Sequence, residues 1–202
     1  FPEPVAPNPE LVAEWDEDDG LHRQRWLIDV QEHLSAALLV NLPPDADEDN
    51  RRPAICCWHG HGQFGKEPVM GNRTTPELRT NIDANNYDYG RQMAQAGYVT
   101  YAIDWIGAGE RHPEQKPNLS NVGHGRDWCN LLYLQATMFG MTSISINVQH
   151  GKAATDFVCA LPAVDPDRLG VMGLSGGGTM TTWSYLCDAR FKAAEIVCYC
   201  DL

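Results

Sequence analysis

Arg168-Leu169-Gly170-Val171-Met172-Gly173-Leu174-Ser175-Gly176-Gly177-Gly178 reads as a short apolar strand, a Gly-x-Ser-x-Gly pentapeptide and the start of a helix. A serine hydroxyl is a weak nucleophile unless the backbone thrusts it toward a base. A sharp strand-to-helix turn does this, and Gly173 and Gly177 relieve the crowding that such a turn creates. The following helix brings its first N–H groups and the positive end of its dipole beside Ser175, where an oxyanion would form. Gly and Ser are common turn formers, so the bare pentapeptide also reads as an ordinary Gly-rich turn. The flanks on both sides single it out.

A second motif lies upstream. Pro53-Ala54-Ile55-Cys56-Cys57-Trp58 is an apolar run that ends in His59-Gly60-His61-Gly62. His59 and His61 at i, i+2 can also be read as metal ligands, but no Cys or carboxylate cluster stands nearby at ligand spacing. No metal and no cofactor is expected. Further on come Asp104-Trp105-Ile106-Gly107-Ala108-Gly109-Glu110-Arg111 and Val164-Asp165-Pro166-Asp167-Arg168, the latter leading into the Ser175 turn.

These four elements, in this order over residues 25 to 200, resemble the α/β-hydrolase superfamily. Within it the likeness is to the acetyl xylan esterase and dienelactone-hydrolase-like group, often placed with prolyl-oligopeptidase-type hydrolases. The resemblance covers the N-terminal part of such a fold. It implies an α/β class with a mostly parallel sheet, helices on both faces and the C-terminal strands missing. It also implies that Ser175 is the catalytic nucleophile and that the backbone N–H groups of Gly176 and His61 (or its neighbour Gly62) form the oxyanion hole. Dienelactone hydrolases carry Cys at the nucleophile position where this chain has Ser175, so their substrate does not carry over. The resemblance implies two-step acyl transfer on a small-molecule carboxylic ester, short-chain or acetyl, such as an acetylated sugar. A prolyl-oligopeptidase-type serine peptidase shares the Asp-Pro-Asp-Arg lead-in, although residues 1–24 are too short for the β-propeller that often precedes one. A non-catalytic protein of the same fold is the reading from another class.

Periodicity fits this architecture. Arg25–Val30 and Leu34–Leu42 read as strands of a hairpin around Gln31-Glu32-His33. Residues 53–58 form a third strand, Tyr89–Ala96 a helix stopped by Gly97, and Tyr98–Ile103 a fourth strand. Ser143–Leu161 carries a helical stripe at 146, 150, 153, 154, 157 and 161, ended by Pro162. Residues 169–174 precede the serine turn, a helix runs on through Thr179–Cys187, and Ala193–Tyr199 is a sixth strand. Strands alternating with helices predict right-handed crossovers within one domain, residues 1–202.

Two long connections, Gln63–Asp88 and Gly107–Met141, emerge at the carboxyl ends of strands, where open α/β sheets bind ligands. Trp105, Arg111 and Trp128 are the leading substrate-pocket candidates. Phe64, Leu131, Leu132, Tyr133, Met138 and Phe139 either join them or pack as a satellite core. Arg111 and Arg73 are candidates to contact an acidic substrate, or are simply paired or solvated.

In this superfamily the catalytic residues run Ser, acid, His along the chain. All seven histidines here precede Ser175. The acid and the histidine are therefore expected beyond Leu202, with the chain an N-terminal piece of a longer protein. Asp201 is the candidate acid within the chain, and Asp188 and Glu195 read as surface residues. His124 or His150 would serve as base only through a geometry foreign to the family.

The net charge of −12 argues against nucleic acid or an anionic membrane as partner. No apolar run reaches the length of a membrane span. Seven cysteines do not suggest a disulfide framework, and Cys56, Cys57, Cys198 and Cys200 fall in predicted buried strands, where Cys acts as a small hydrophobe. A reducing cytoplasm is the expectation. The composition says nothing about oligomeric state.

Overall fold

Along the central strands every second side chain enters the same core, the two-residue period of a pleated sheet. The computed structural model describes residues 5–112 and 126–199. The strands are β1 (Glu10–Asp16), β2 (His22–Gln31), β3 (Leu34–Leu42), β4 (Arg52–Trp58), β5 (Val99–Ile103), β6 (Val164–Leu174) and β7 (Phe191–Val197). They form one sheet in the order β1-β2-β3-β5-β4-β6-β7. Pairings β1–β2, β2–β3 and β3–β5 are antiparallel, while β5–β4, β4–β6 and β6–β7 are parallel. Five of the seven strands (β2 and β4 to β7) therefore point the same way, and the sheet is mostly parallel, as expected.

The helices are α1 (Lys66–Val69), α2 (Pro76–Asn85), α3 (Tyr89–Gln95), α4 (Arg126–Met138), α5 (Ser143–Cys159) and α6 (Gly176–Cys187). Ala54, Cys56, Trp58, Leu38, Tyr101 and Val171 face α5 and α6, where they meet Ala154, Phe157, Val158 and Met180. Ile55, Cys57, Leu39, Ala102 and Met172 face the other way, onto Val69, Met70 and Met93. Each fully buried large side chain contributes about 1.5–3 kcal/mol. Thr142 caps α5 through a reciprocal pair with Ser145. Gly151 of α5 lets the helix approach the indole of Trp58, because a Cβ there would lie 2.5 Å from Cζ2.

Several expectations are corrected. Strand β1, almost wholly exposed and with Leu11, Val12 and Ala13 consecutive, gives no alternation to read. Its presence makes the strands expected as third, fourth and sixth the fourth, fifth and seventh. The Gln63–Asp88 connection holds two helices, and Gly107–Met141 contains α4 and a 3-10 turn at Gly109–Arg111. Asp188 is buried and paired with Arg190 rather than a surface residue, whereas Glu195 is exposed on the edge strand β7. Cys198 lies just past β7 and is exposed, while Cys56 and Cys57 are buried; Cys200 lies outside the described residues. No described helix is long and apolar enough to cross a membrane.

Candidate active site

Strand β6 ends at Leu174 and α6 begins at Gly176, so Ser175 alone turns the chain. It does so at φ 58° and ψ −117°, a conformation that costs a side-chain-bearing residue about 1–3 kcal/mol. The turn is fastened on two sides: the Ser175 N–H donates to Val197 O at 2.9 Å, and its carbonyl accepts from Thr179 N–H at 3.1 Å. The neighbouring glycines are required by contact. A Cβ on Gly173 would lie 2.5 Å from Gly177 O, and one on Gly177 would lie 2.2 Å from Trp58 O. Ser175 is half-buried.

The segment after β4 lies directly against this turn. A Cβ on Gly60 would come 3.6 Å from Ser175 Cβ and 2.9 Å from Leu174 O, so only glycine fits. The Gly60 N–H donates to the Tyr87 hydroxyl, and the Tyr89 hydroxyl donates to Trp58 O. The two rings meet edge to face at 5.6 Å. Burial pushes both phenols up, so both remain protonated. Beyond Gly60, the His61 imidazole reaches Gly176: its Nδ1 lies 2.8 Å from where a Cβ would sit, and Trp105 Cη2 lies 2.3 Å from the same point. His61 and Trp105 are ring neighbours at 5.1 Å, and Cys129 Sγ lies 3.3 Å from His61 Nε2. Ser175, Gly176 and His61 are thus brought together, and Trp105 is buried behind them.

His59 is fully buried and does not face the site. Its Nδ1 lies 2.8 Å from Gly60 O, and its Nε2 accepts from Trp105 N–H at 3.4 Å. Burial holds its pKa below the ordinary value despite the nearby Asp104 carboxylate, so it is neutral with its proton on Nδ1. Among the described residues no group of three His, Cys, Asp or Glu is placed to hold a metal ion.

Arg111 points inward rather than into a pocket. It donates to Asp104 O at 3.0 Å and to His150 Nδ1 at 3.1 Å, and burial lowers its pKa to about 10. Arg73 pairs with Asp83 at 2.8 Å. Met138 and Phe139 are 85% and 79% exposed and neither wall a cavity nor pack as a core. Trp128 belongs to α4 with its side chain outside the described ones, and Asp201 and His124 lie outside the described residues. Sequence reasoning missed Tyr87, Tyr89 and Lys66, whose partners are far along the chain and follow no spacing rule.

Burial, with Arg111 adding to it, drives His150 down to about 3, which disqualifies it as a general base near neutral pH. This has a measurable consequence for stability. The unfolded chain takes up a proton at His150 as pH falls through about 6.5, but the folded chain does not until about 3. Stability from this residue is full above pH 6.5 and is lost as pH falls toward 3, by about 2 kcal/mol between pH 7 and pH 5. Unfolding free energies from urea denaturation at these two pH values should differ by that amount in wild type and by markedly less in His150→Gln. An equal difference in both proteins would refute the assignment.

Residues 147–199 match the Prolyl oligopeptidase family. The "Putative hydrolase YtaP" of Bacillus subtilis (strain 168) is 26% identical over 174 residues, which is 85% of this chain and 51% of that protein. An uncharacterized protein of Escherichia coli (strain K12), YcjY, is 25% identical over 164 residues, 81% of this chain and 40% of its own length. Among solved structures, a "putative acetyl xylan esterase" from Bacteroides fragilis superposes with a TM-score of 0.78 at 18% identity, covering 95% of this chain and 48% of that one. The acetyl xylan esterase from Paenibacillus sp. R4 gives 0.63 at 21%, covering 95% and 53%. A glucuronoyl esterase from Solibacter usitatus gives 0.61 at 18%, covering 95% and 52%. The chain spans about half the length of the curated relatives it matches, or less.

Proposed function

From a chain that carries the α/β-hydrolase fold and is similar to the acetyl xylan esterase-like group, we infer a serine esterase acting on short-chain or acetyl esters, including those of carbohydrates. The observation that carries this reading is the Ser175 turn: a serine at positive φ, set between β6 and α6, with the β4 loop packed on Gly176. We read this arrangement as a nucleophile elbow beside an oxyanion hole. Ser175 Oγ attacks the ester carbonyl, and the N–H groups of Gly176 and His61 receive the negative charge that develops on the carbonyl oxygen. The alcohol departs with a proton, leaving an acyl ester on Ser175. Water then cleaves that ester, releasing the acid and restoring the hydroxyl. The relay histidine and the acid follow Ser175 in chain order, as the resemblance implies, with Asp201 the candidate acid; His59 is enclosed and His150 is too weak a base to take the part.

The match of residues 147–199 to the Prolyl oligopeptidase family favours a second reading, a serine peptidase. Both share the acyl-enzyme, so the substrate separates them. The test is intact mass before and after a fluorophosphonate probe, together with turnover of p-nitrophenyl acetate and of a proline-specific chromogenic peptide. One adduct on Ser175 with acetate turnover supports the esterase. Peptide turnover without ester turnover would replace it with the peptidase. No adduct and no turnover would leave a binding protein built on the same fold.

A further inference from the structure

Lys66, at the start of α1, is fully buried, which is unusual for an amine that must be charged or lose its partners. Its Nζ lies 2.8 Å from Asp104 Oδ2 and 2.7 Å from Glu110 Oε2. Its backbone N–H donates to Asp104 Oδ1 at 2.8 Å, and the Glu110 N–H donates to Oδ2 at 3.0 Å. Arg25 of β2 closes the cluster from outside, paired with both Glu67 and Glu110. Burial would neutralise Lys66, but the charges of Asp104 and Glu110 override it and raise its pKa. Burial would likewise raise Asp104, but the Lys66 charge and its hydrogen bonds hold it below the usual carboxylate range.

The backbone is shaped around this one carboxylate. Gly65 and Gly109 both have positive φ, 54° and 52°. A Cβ on Gly65 would lie 2.2 Å from Asp104 Oδ1, and one on Gly109 would lie 2.4 Å from Asp104 Cγ. The cradle joins two loops. One runs from His59 to Lys66 and carries the His61 N–H; the other runs from Asp104 to Arg111. They are tied at one end by Trp105 N–H to His59 Nε2 and at the other by Lys66 to Asp104. Between these ties His61, Gly62 and Gln63 are exposed, and a Cβ on Gly62 would meet nothing within 4 Å. The His61 ring packs against Gly176 and Trp105 and meets Cys129, and the two ends of the loop hold the backbone that carries its N–H. The other side of the cradle is also anchored, by Ile106 N–H to Asn147 Oδ1 at 2.7 Å on α5.

We propose that Lys66 and Asp104 are positioning residues that fix the oxyanion-donating loop against the sheet, so that the second donor is in place before substrate arrives. This rests on the esterase reading. A donor held in place by a distant clasp acts on the transition state more than on the ground state, so its loss should appear in kcat rather than KM.

The test uses the purified protein and three variants: Glu110→Gln, Lys66→Met and the double variant Lys66→Met/Asp104→Asn. Backbone amide exchange over residues 59–66, kcat and KM for p-nitrophenyl acetate, and melting temperature are measured for each. Lys66→Met leaves Asp104 buried and unpaired. It should exchange its loop amides about tenfold faster or more while β4 and β6 stay protected, and lose about 10–100-fold in kcat with KM within about twofold. Glu110→Gln keeps the Asp104 pair and should fold normally with a several-fold loss in kcat. The double variant has no unpaired charge, so its melting temperature should return toward wild type while kcat stays low. Recovery of kcat along with stability in the double variant would reduce the cluster to a structural ion pair and overturn the proposal. Unchanged loop exchange in the single variants would also overturn it. Absence of ester turnover by the protein at its natural length refutes the esterase reading by itself, and the exchange data still decide whether the clasp holds the loop.

Discussion

Ser175→Ala should lower kcat for ester hydrolysis by about 10⁴–10⁶-fold, without loss of the folded state. In the proposed reaction the side chain makes the covalent bond, so no neighbouring group can substitute for it once the hydroxyl is gone. The turn is held by backbone contacts to Val197 and Thr179, which alanine keeps. Alanine also keeps the strain, because φ 58° disfavours any Cβ. Ser175→Gly removes both hydroxyl and strain and should be more stable than wild type by about 1 kcal/mol while equally inactive. A site that gains stability as it loses function holds strain for the sake of function. Steady-state kinetics and urea denaturation of the two variants test this. Activity of Ser175→Ala above about one per cent of wild type would remove Ser175 from the chemistry.

Gly177→Ala should be nearly as damaging by a different route. Its Cβ would sit 2.2 Å from Trp58 O and 2.9 Å from His59 O. Both are main-chain atoms at the end of β4 and cannot swing aside like a side chain. Either α6 lifts off the sheet or the β4 loop is displaced, and each separates Gly176 from His61. We expect a loss of about 3 kcal/mol, a fall in melting temperature of roughly 6–12 °C and at least about a hundredfold loss of activity. Gly170→Ala, earlier in the same strand, is the control. Its Cβ would meet Ile55 Cγ1 at 3.6 Å and Ala193 O at 3.8 Å, ordinary contacts, so it should match wild type. Equal behaviour of the two variants would mean that the close approach at Gly177 is not what holds the turn.

Much of the central architecture could be read from the chain because each feature had a local cause. Residues 53–58 and 98–103 are apolar runs of strand length, and Pro162 and Gly97 end helices. The serine turn lies between an apolar strand and a Gly-rich helix start. β1 escaped notice because this exposed edge strand buries neither face fully, so its apolar residues Leu11, Val12, Ala13 and Trp15 follow no strict two-residue period. Helix α2 carried a readable signal in Thr75-Pro76-Glu77, since the Thr75 side chain accepts from Leu78 N–H and Pro76 occupies the first turn, but it lay inside what read as one loop. Arg111, read either as a substrate contact or as simply paired, turns toward His150. Nothing in its spacing tells a solvent-facing arginine from a buried one. Lys66 was invisible for the same reason: its partners lie 38 and 44 positions away, and only the folded sheet brings them together.

The hydrogen bond from the Ser175 N–H to Val197 O also bears on when the turn can exist at all. During synthesis Ser175 emerges before the whole of β7 and well before Val197, the residue that holds it. Its other brace, the Trp58 and His59 carbonyls behind Gly177, was made long before. The strained conformation cannot persist on local interactions, because a lone residue at positive φ reverts once nothing opposes it. It is therefore set only when β4, β6 and β7 have assembled, contacts that span more than a hundred residues and form slowly. Reactivity toward a serine probe, followed during refolding, would then report the arrival of the last described strand rather than collapse of the core.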